Sequence, residues 1–255
     1  MAAAMFPDEL LHVVAIAEAA GRRILEHYAS WQGETTLKQD RSPLTAADVA
    51  SHELIVGALK ADTEWPALSE ESAEVPYALR SGWRRFWLVD PLDGTREFLS
   101  RNGEFTVNIA LIDHGAPVVG VVHAPVLSLT YFAVRGQGAF LKNGEGAPRR
   151  IRSEGANGDR PAAVISRSHG DRQTAAFLET LGSHRAVSIG SSLKFCLLSD
   201  GRAQVYPRFG TTMEWDTAAG QCVLEQAGGS VRDLEGRPLV YNKPDLRNPF
   251  FIARA

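Results

Sequence analysis

Cysteine is nearly absent from this sequence: Cys196 and Cys222 are the two in 255 residues, and each lies inside an apolar stretch that reads as helix. So small a number excludes a disulfide framework, fits a reducing cytoplasm, and offers no cysteine spacing suited to a metal. No HExxH pattern is present either. No uninterrupted apolar run approaches the ~20 residues that a membrane-spanning helix needs. The expectation is therefore a soluble cytoplasmic chain, with peripheral attachment to the cytoplasmic face of the inner membrane left open. A polybasic run is missing and the net charge is −3, which excludes a nucleic-acid partner. Internal repeats and low-complexity segments are lacking too. What remains, 44% hydrophobic and 22% charged residues, is ordinary globular composition. The length suits one large domain or two halves sharing a core.

The first residues are small and apolar, but Asp8 and Glu9 argue against a signal peptide. From Glu9 onward Leu10, Val13, Val14, Ile16 and Ala17 recur at helical spacing, which predicts an amphipathic packing helix. A second helix is predicted from Thr45 to about Leu59, announced by Ser42 and Pro43. "RFWLVD", ending at Asp90, reads as a buried strand, followed by the acidic turn "PLDGT" and a second strand, "FTVNIALID". Residues 116–145 read as two or three antiparallel strands, with Asn143-Gly144 a hairpin signal. "RSEGANGDRPA" has the composition of an exposed connector, so we expect a boundary near it: an N-terminal α+β subdomain over 1–155 and a C-terminal α/β subdomain over 156–255. In the second half strands and helices alternate, which is an α/β signature.

Asp90 and Asp93 stand one turn apart at the end of a buried strand. Two like charges so placed repel. Either one carboxylate is neutralised, or a cation sits between them, and hard oxygen ligands favour Mg2+ over zinc or copper. Asp-Pro and Asp-Gly are also plain turn formers, so "DPLDGT" alone leaves both readings open. Glu70 and Glu71 in "ALSEES" could equally be a solvated pair. Asp216 in "MEWDTAAGQ" stands where a helix N-cap belongs.

Taken together these acids follow the pattern D, EE, DPxDGT, WDxAA, as Asp48, Glu70 with Glu71, residues 90–95 and residues 215–219. In that pattern the chain resembles the Mg2+-dependent, lithium-sensitive phosphatase superfamily typified by inositol monophosphatase, along nearly its whole length. The resemblance implies an α/β fold, a layered α+β sandwich of alternating helices and sheets with the metal site in the cleft between two subdomains. It also implies two or three Mg2+ per site: Glu70, Asp90 and the Leu92 carbonyl would hold one, and Asp90, Asp93 and Asp216 the next. The nucleophile implied is a metal-bound water positioned by Thr95, whose hydroxyl bonds Asp48; Asp48 acts there or as a ligand to a weaker third metal. The amides of Gly94 and Thr95 would cradle phosphate oxygens if a helix opens there.

Within that superfamily "NGEFTVNIALIDHG", "VISRSH", "SIGSSLKFCL" and "YPRFG" look most like the bacterial 3'(2'),5'-bisphosphate nucleotidases. The implied reaction is removal of the 3'(2')-phosphate from adenosine 3',5'-bisphosphate, a by-product clearance step of sulfate assimilation, with the 5'-phosphosulfate analogue as a second substrate. Substrate contacts implied are Glu70, Leu92, Asp93, Gly94, Thr95 and Asp216 near the metals, and Ser166, His169, Gly190 and Lys194 toward the nucleotide. Arg208 is a further anion contact. Residue chemistry alone also allows Lys194 to be a solvated helix residue, His169 a loop residue and Gly190 a plain turn. Hydrolysis of an inositol or other sugar phosphate is the nearer alternative, and a non-catalytic Mg2+- or nucleotide-binding protein the more distant one. Monomer and homodimer stay equally open.

Overall fold

The computed structural model describes residues 8–31, 36–37, 43–72, 75–154, 160–167 and 172–255. The chain runs through α1 (Asp8–Ser30), the antiparallel pair β1 (Thr36–Leu37) and β2 (Pro43–Leu44), α2 (Ala46–Asp62), β3 (Ala67–Ser69), a 3-10 turn (Glu70–Ser72) and α3 (Tyr77–Arg80). It continues through β4 (Arg85–Asp93), α4 (Thr95–Leu99), β5 (Thr106–Asp113), β6 (Ala116–Ala124), β7 (Leu129–Val134), β8 (Gly138–Asn143) and β9 (Arg149–Ile151). The second half holds β10 (Ala162–Ser166), α5 (Arg172–Thr180), β11 (Arg185–Ile189), α6 (Leu193–Ser199), β12 (Val205–Arg208), α7 (Glu214–Gln226), β13 (Ser230–Asp233) and β14 (Phe251–Arg254). Among the described residues no helix is long and apolar enough to cross a membrane.

Strands β3 to β9 form a seven-stranded sheet in sequence order, antiparallel except for the β3–β4 pair. Alternation along each strand sorts its side chains between two cores. Trp87, Val89, Val107, Ile109, Leu111 and Val121 pack with the apolar face of α1 and α2. Their neighbours Phe86, Leu88, Ala110, Ile112 and Val122 pack on the other side with α6, α7 and the second sheet. That second sheet has the order β11-β10-β12-β14-β13, with β10 parallel to both its neighbours and β14 antiparallel to β12 and β13. The architecture is thus a layered α/β sandwich in which α6 and α7 lie between two sheets. Because both faces of the central strands are buried, β5 reads as a nearly continuous apolar run.

Helix α2 starts at the predicted place: Thr45 is its N-cap, its hydroxyl accepting from the Ala47 N–H at 3.2 Å. The predicted strands and helices of the second half are present to within a few residues. Strands β1, β2, β3, β9 and β14 and helix α3 were not foreseen, being four residues or fewer and too short to show a period, and Pro43, expected in a turn, lies in β2. The expected boundary between residues 155 and 156, and the turn signal Ser42, lie outside the described residues.

Close contact of the central layers depends on Gly120 in β6, where an added Cβ would lie 2.6 Å from the Ala219 carbonyl oxygen and 2.7 Å from the Cys222 Cβ of α7. Both atoms belong to α7, and one of them is backbone, so the helix cannot give way by a side-chain movement alone. Gly120→Ala is expected to destabilise by about 2–3 kcal/mol, the upper part of the range for overpacking a tight core. Thermal denaturation checks this; a variant that melts with the wild type would show that the layers are not in contact there.

Candidate active site

The pairing of β4 with β5 passes from Asp90 opposite Asn108 to Asp93 opposite Thr106, so that residues 91 and 92 together face Val107 alone. This is a bulge, and it changes which way the aspartates point. In a regular strand residues 90 and 93 would project to opposite faces; with one extra residue between them, both project to the side of Asn108 and Thr106. Pro91, with no N–H to leave unpaired, suits the irregular position. The Ser51 hydroxyl of α2 donates to the Pro91 carbonyl at 2.7 Å, and Asp90 Oδ1 accepts the Leu92 N–H at 3.1 Å.

Asp93 is held from the opposite half of the chain. Its Oδ2 accepts from the Ser191 hydroxyl (2.8 Å), the Ser192 N–H (2.7 Å) and Asn108 Nδ2 (3.3 Å). The Ser192 hydroxyl is shared between that oxygen (2.8 Å) and the Asp216 carbonyl (2.9 Å). These bonds converge on one oxygen, Oδ2. Asp216 is the third residue of α7 rather than its N-cap: the helix begins earlier than expected, Met213 occupies the cap, and Asp216 Oδ2 accepts the Met213 N–H at 2.8 Å.

One carboxylate oxygen from each of Asp90, Asp93 and Asp216 lies within 4.8 Å of the others. Burial pushes the Asp216 carboxyl well above the usual carboxylate range, and the charges of Asp93 and Glu70 push it further. A divalent cation removes that conflict, since it neutralises the repulsion and replaces lost hydration. The donor set fits such an ion: carboxylates, with Leu92 lining the same cleft and no thiolate or imidazole in the cluster, suit a hard cation. Glu70 enters from the 3-10 turn that follows β3, whose last residue, Ser69, pairs with Val89 beside Asp90.

Asp48 is buried in the first turn of α2, where Oδ2 accepts the Thr45 N–H (2.8 Å) and hydroxyl (2.6 Å). Its Oδ1 is 3.5 Å from the Thr95 hydroxyl, a long contact. Thr95 does open a helix, α4, and Gly94 before it has φ +93°, a conformation that glycine adopts without strain.

A cleft of about 330 Å3 joins these groups to the second half of the chain. Glu70, Asp90, Leu92, Asp93, Gly94, Thr95 and Asp216 line it, together with Ser166, Lys194 and Arg208. Lys194 is not a solvated helix residue: it is 6% exposed, its Nζ donates to the Ser191 carbonyl at 2.7 Å, and burial pushes its ammonium down to about 8. Arg208 is buried too, and its Nε has no hydrogen-bond partner. Gly190 does not line the cleft; an added Cβ there would meet Glu97 Cγ at 2.4 Å, and its N–H donates to Glu104 at 2.8 Å. His169 lies outside the described residues. Reading the residues missed Ser191, Ser192 and Asn108, because serines and an asparagine carry no motif until the fold sets them against Asp93.

Three carboxylates clustered at a candidate cation position, in a cleft that Lys194 and Arg208 also line, fit a metal-dependent phosphatase. The chain belongs to the inositol monophosphatase family, whose model matches residues 7–249. It is 48% identical to the 3'(2'),5'-bisphosphate nucleotidase CysQ of Escherichia coli K12 over 94% of this chain and 96% of that protein. The 3'(2'),5'-bisphosphate nucleotidase CysQ of Haemophilus influenzae is 34% identical over 95% of this chain and 91% of its own. The crystal structure of CysQ from Bacteroides thetaiotaomicron superposes with a TM-score of 0.88 at 43% identity, covering 98% of each chain.

Proposed function

We propose that this enzyme removes the 3'(2')-phosphate of adenosine 3',5'-bisphosphate, giving AMP and phosphate, and that it does so with two or three Mg2+ bound among the carboxylates. The observation that carries the substrate reading is the charge arrangement of the cleft. Glu70, Asp90, Asp93, Glu97 and Asp216 line it, and Lys194 and Arg208 stand buried in the same lining. A substrate with one phosphate to lose and a second to keep can use both the carboxylate-bound cations and these two basic side chains, whereas an inositol monophosphate brings no second phosphate to them. The relatives named for this activity at 48% identity support the same choice. The 5'-phosphosulfate analogue fits the same arrangement as a second substrate.

Glu70, Asp90 and the Leu92 carbonyl are the proposed ligands of one ion, and Asp90, Asp93 and Asp216 those of the next. Bound there, the cations supply the positive charge that phosphoryl oxygens need and lower the pKa of water. The protein's own groups do the rest. Thr95 Oγ1 donates to Asp48 Oδ1 and keeps its lone pairs for the attacking water, so Asp48, anchored by Thr45, receives that water's proton through the threonine. The Gly94 and Thr95 amides face phosphate oxygens at the opening of α4. Ser191 and Ser192 hold Asp93 in place through Oδ2. Ser166, His169 and Lys194 are assigned to the nucleotide side, and Gly190, whose N–H is taken by Glu104, only leads into the segment that carries Lys194.

The test is phosphate release from adenosine 3',5'-bisphosphate and from inositol 1-phosphate in parallel, with Mg2+ and with EDTA. The expected result is a kcat/KM at least about tenfold higher for the nucleotide, a difference of about 1.4 kcal/mol, and loss of both activities in EDTA. Preference for inositol 1-phosphate would overturn the substrate assignment, and activity that survives EDTA would overturn the metal assignment.

A further inference from the structure

Between α4 and β5 the chain carries Glu104, whose carboxylate is bonded entirely to the second half of the molecule. It accepts from Arg167 Nε and Nη2, each at 2.6 Å, and from the Gly190 N–H at 2.8 Å. Arg167 Nη2 donates also to the Ser188 carbonyl at 2.8 Å, so one ion pair gathers the ends of β10 and β11. The backbone here is equally constrained. The Glu104 carbonyl oxygen lies 3.3 Å from where a Cβ on Gly94 would be and 2.9 Å from where one on Gly190 would be. Residue 104 is thus wedged between two turns: the one after β4, next to Asp93 and Thr95, and the one after β11, which delivers Ser191 and Ser192 to Asp93.

Neither Glu104 nor Arg167 lines the cleft. The Arg167 side chain is 44% exposed and Glu104 19%, so the pair adds only modestly to stability. What the bidentate geometry supplies is direction: a planar fork fixes both distance and angle between the elements it joins. Arg167 directly follows Ser166, which faces the cleft, and Gly190 leads into the segment that carries Lys194.

We infer that the Glu104–Arg167 pair is a positioning element for substrate choice, holding the nucleotide-facing wall of the second half at the distance from the carboxylate cluster that a bisphosphate requires. The inference rests on the nucleotidase reading. A small phosphomonoester engages the carboxylate end alone and is indifferent to where the far wall stands. A nucleoside bisphosphate must satisfy both ends at once, so a displaced wall weakens its binding.

The experiment compares wild type, Glu104→Gln, Arg167→Gln, the double variant and Arg167→Lys. It reads kcat and KM for adenosine 3',5'-bisphosphate and for p-nitrophenyl phosphate, the midpoint of Mg2+ activation, and the melting temperature. Each single Gln variant is expected to raise KM for the bisphosphate about tenfold, with kcat and the small-ester kinetics within about twofold of wild type, the signature of lost binding rather than lost chemistry. The double variant should be no worse than the weaker single, because both remove one interaction, and Arg167→Lys should recover part of the loss. Equal losses on both substrates, or a shifted Mg2+ midpoint, would overturn the inference in favour of general support of the metal site, and unchanged KM would overturn it outright. A wild-type enzyme that does not prefer the bisphosphate overturns the nucleotidase reading, and this inference with it, before any variant is compared.

Discussion

Asp90→Asn is expected to lower kcat by on the order of 10³-fold, the loss typical of removing a fixed group that stabilises transition-state charge, while leaving the cation-free protein at least as heat-stable as wild type. The two effects have one cause. Asp90 is 1% exposed and belongs to a cluster whose member Asp216 is held well above the usual carboxylate range by burial and by its neighbours' charge. Asparagine keeps the Oδ1 that accepts the Leu92 N–H and nearly the same volume, so the bulge keeps its support. The negative charge goes, and with it both the repulsion and the proposed bridging ligand. Without cations, a raised folded pKa means that folding binds protons through Asp216, so its contribution to stability falls as pH rises from the ordinary carboxylate value toward the raised one. EDTA-treated wild type should therefore lose melting temperature as pH rises above the ordinary carboxylate value, and Mg2+ should reverse this most strongly where the carboxylates are ionised. At a hundred times the dissociation constant the ion adds about 2.7 kcal/mol, or about 5–10 °C for a chain of this size. In Asp90→Asn that shift should vanish. Melting curves with and without Mg2+, beside phosphate release, decide it; a variant that keeps the full Mg2+ shift would remove Asp90 from the ligand set.

Much of this architecture could be read from the residues, and the exceptions have physical reasons. Helices α1, α2 and α7 and strands β4 to β8 are long enough to show their periods and appear where that pattern predicts them, except that β4 runs on through residues 91–93, expected as a turn, and α7 begins earlier, at Glu214. The acids of the site stood out because their order along the chain matches a family. Their geometry did not, since Asp90 and Asp93 share a face through a bulge, and a bulge is a property of the pairing with β5 rather than of "DPLDGT" itself. The same holds for Asp216. An aspartate before an apolar helical stretch reads as an N-cap, yet the cap is Met213, three residues earlier, and the aspartate bonds back to it from the third helical position. The Ser191–Ser192 contacts with Asp93 span 98 and 99 positions, and nothing local announces them. Glu104 and Arg167 look like ordinary surface charges until tertiary structure sets them face to face.

Arg208 joins this distinction to function, and its replacement should separate stability from binding. The guanidinium is 7% exposed, donates to the Thr211 carbonyl at 3.0 Å, and has a buried Nε with no hydrogen-bond partner. A buried cation so poorly satisfied is costly, because the hydration it lost has not been replaced. Its neighbour adds to the cost: Lys194 is pushed down to about 8 chiefly by burial, with the charge of Arg208 acting in the same direction against the pull of Asp93. Asp93, Glu97 and Asp216 offset part of the Lys194 charge and Arg208 acts on Asp216, and an anionic ligand would stabilise both cations further. Arg208→Met is therefore expected to melt at or above the wild-type temperature in the absence of ligand. Its kcat/KM for adenosine 3',5'-bisphosphate should fall about a hundredfold, or about 2.7 kcal/mol, within the range for truncating one partner of a buried charge contact. AMP, the product that keeps the second phosphate, should raise the melting temperature of wild type and not of the variant, while the Mg2+ shift persists in both. If the variant instead melts lower and binds AMP as well as wild type does, the residue serves the turn through Thr211. In that case the cationic wall reduces to Lys194, and the charge arrangement that favours a bisphosphate loses half of its basis.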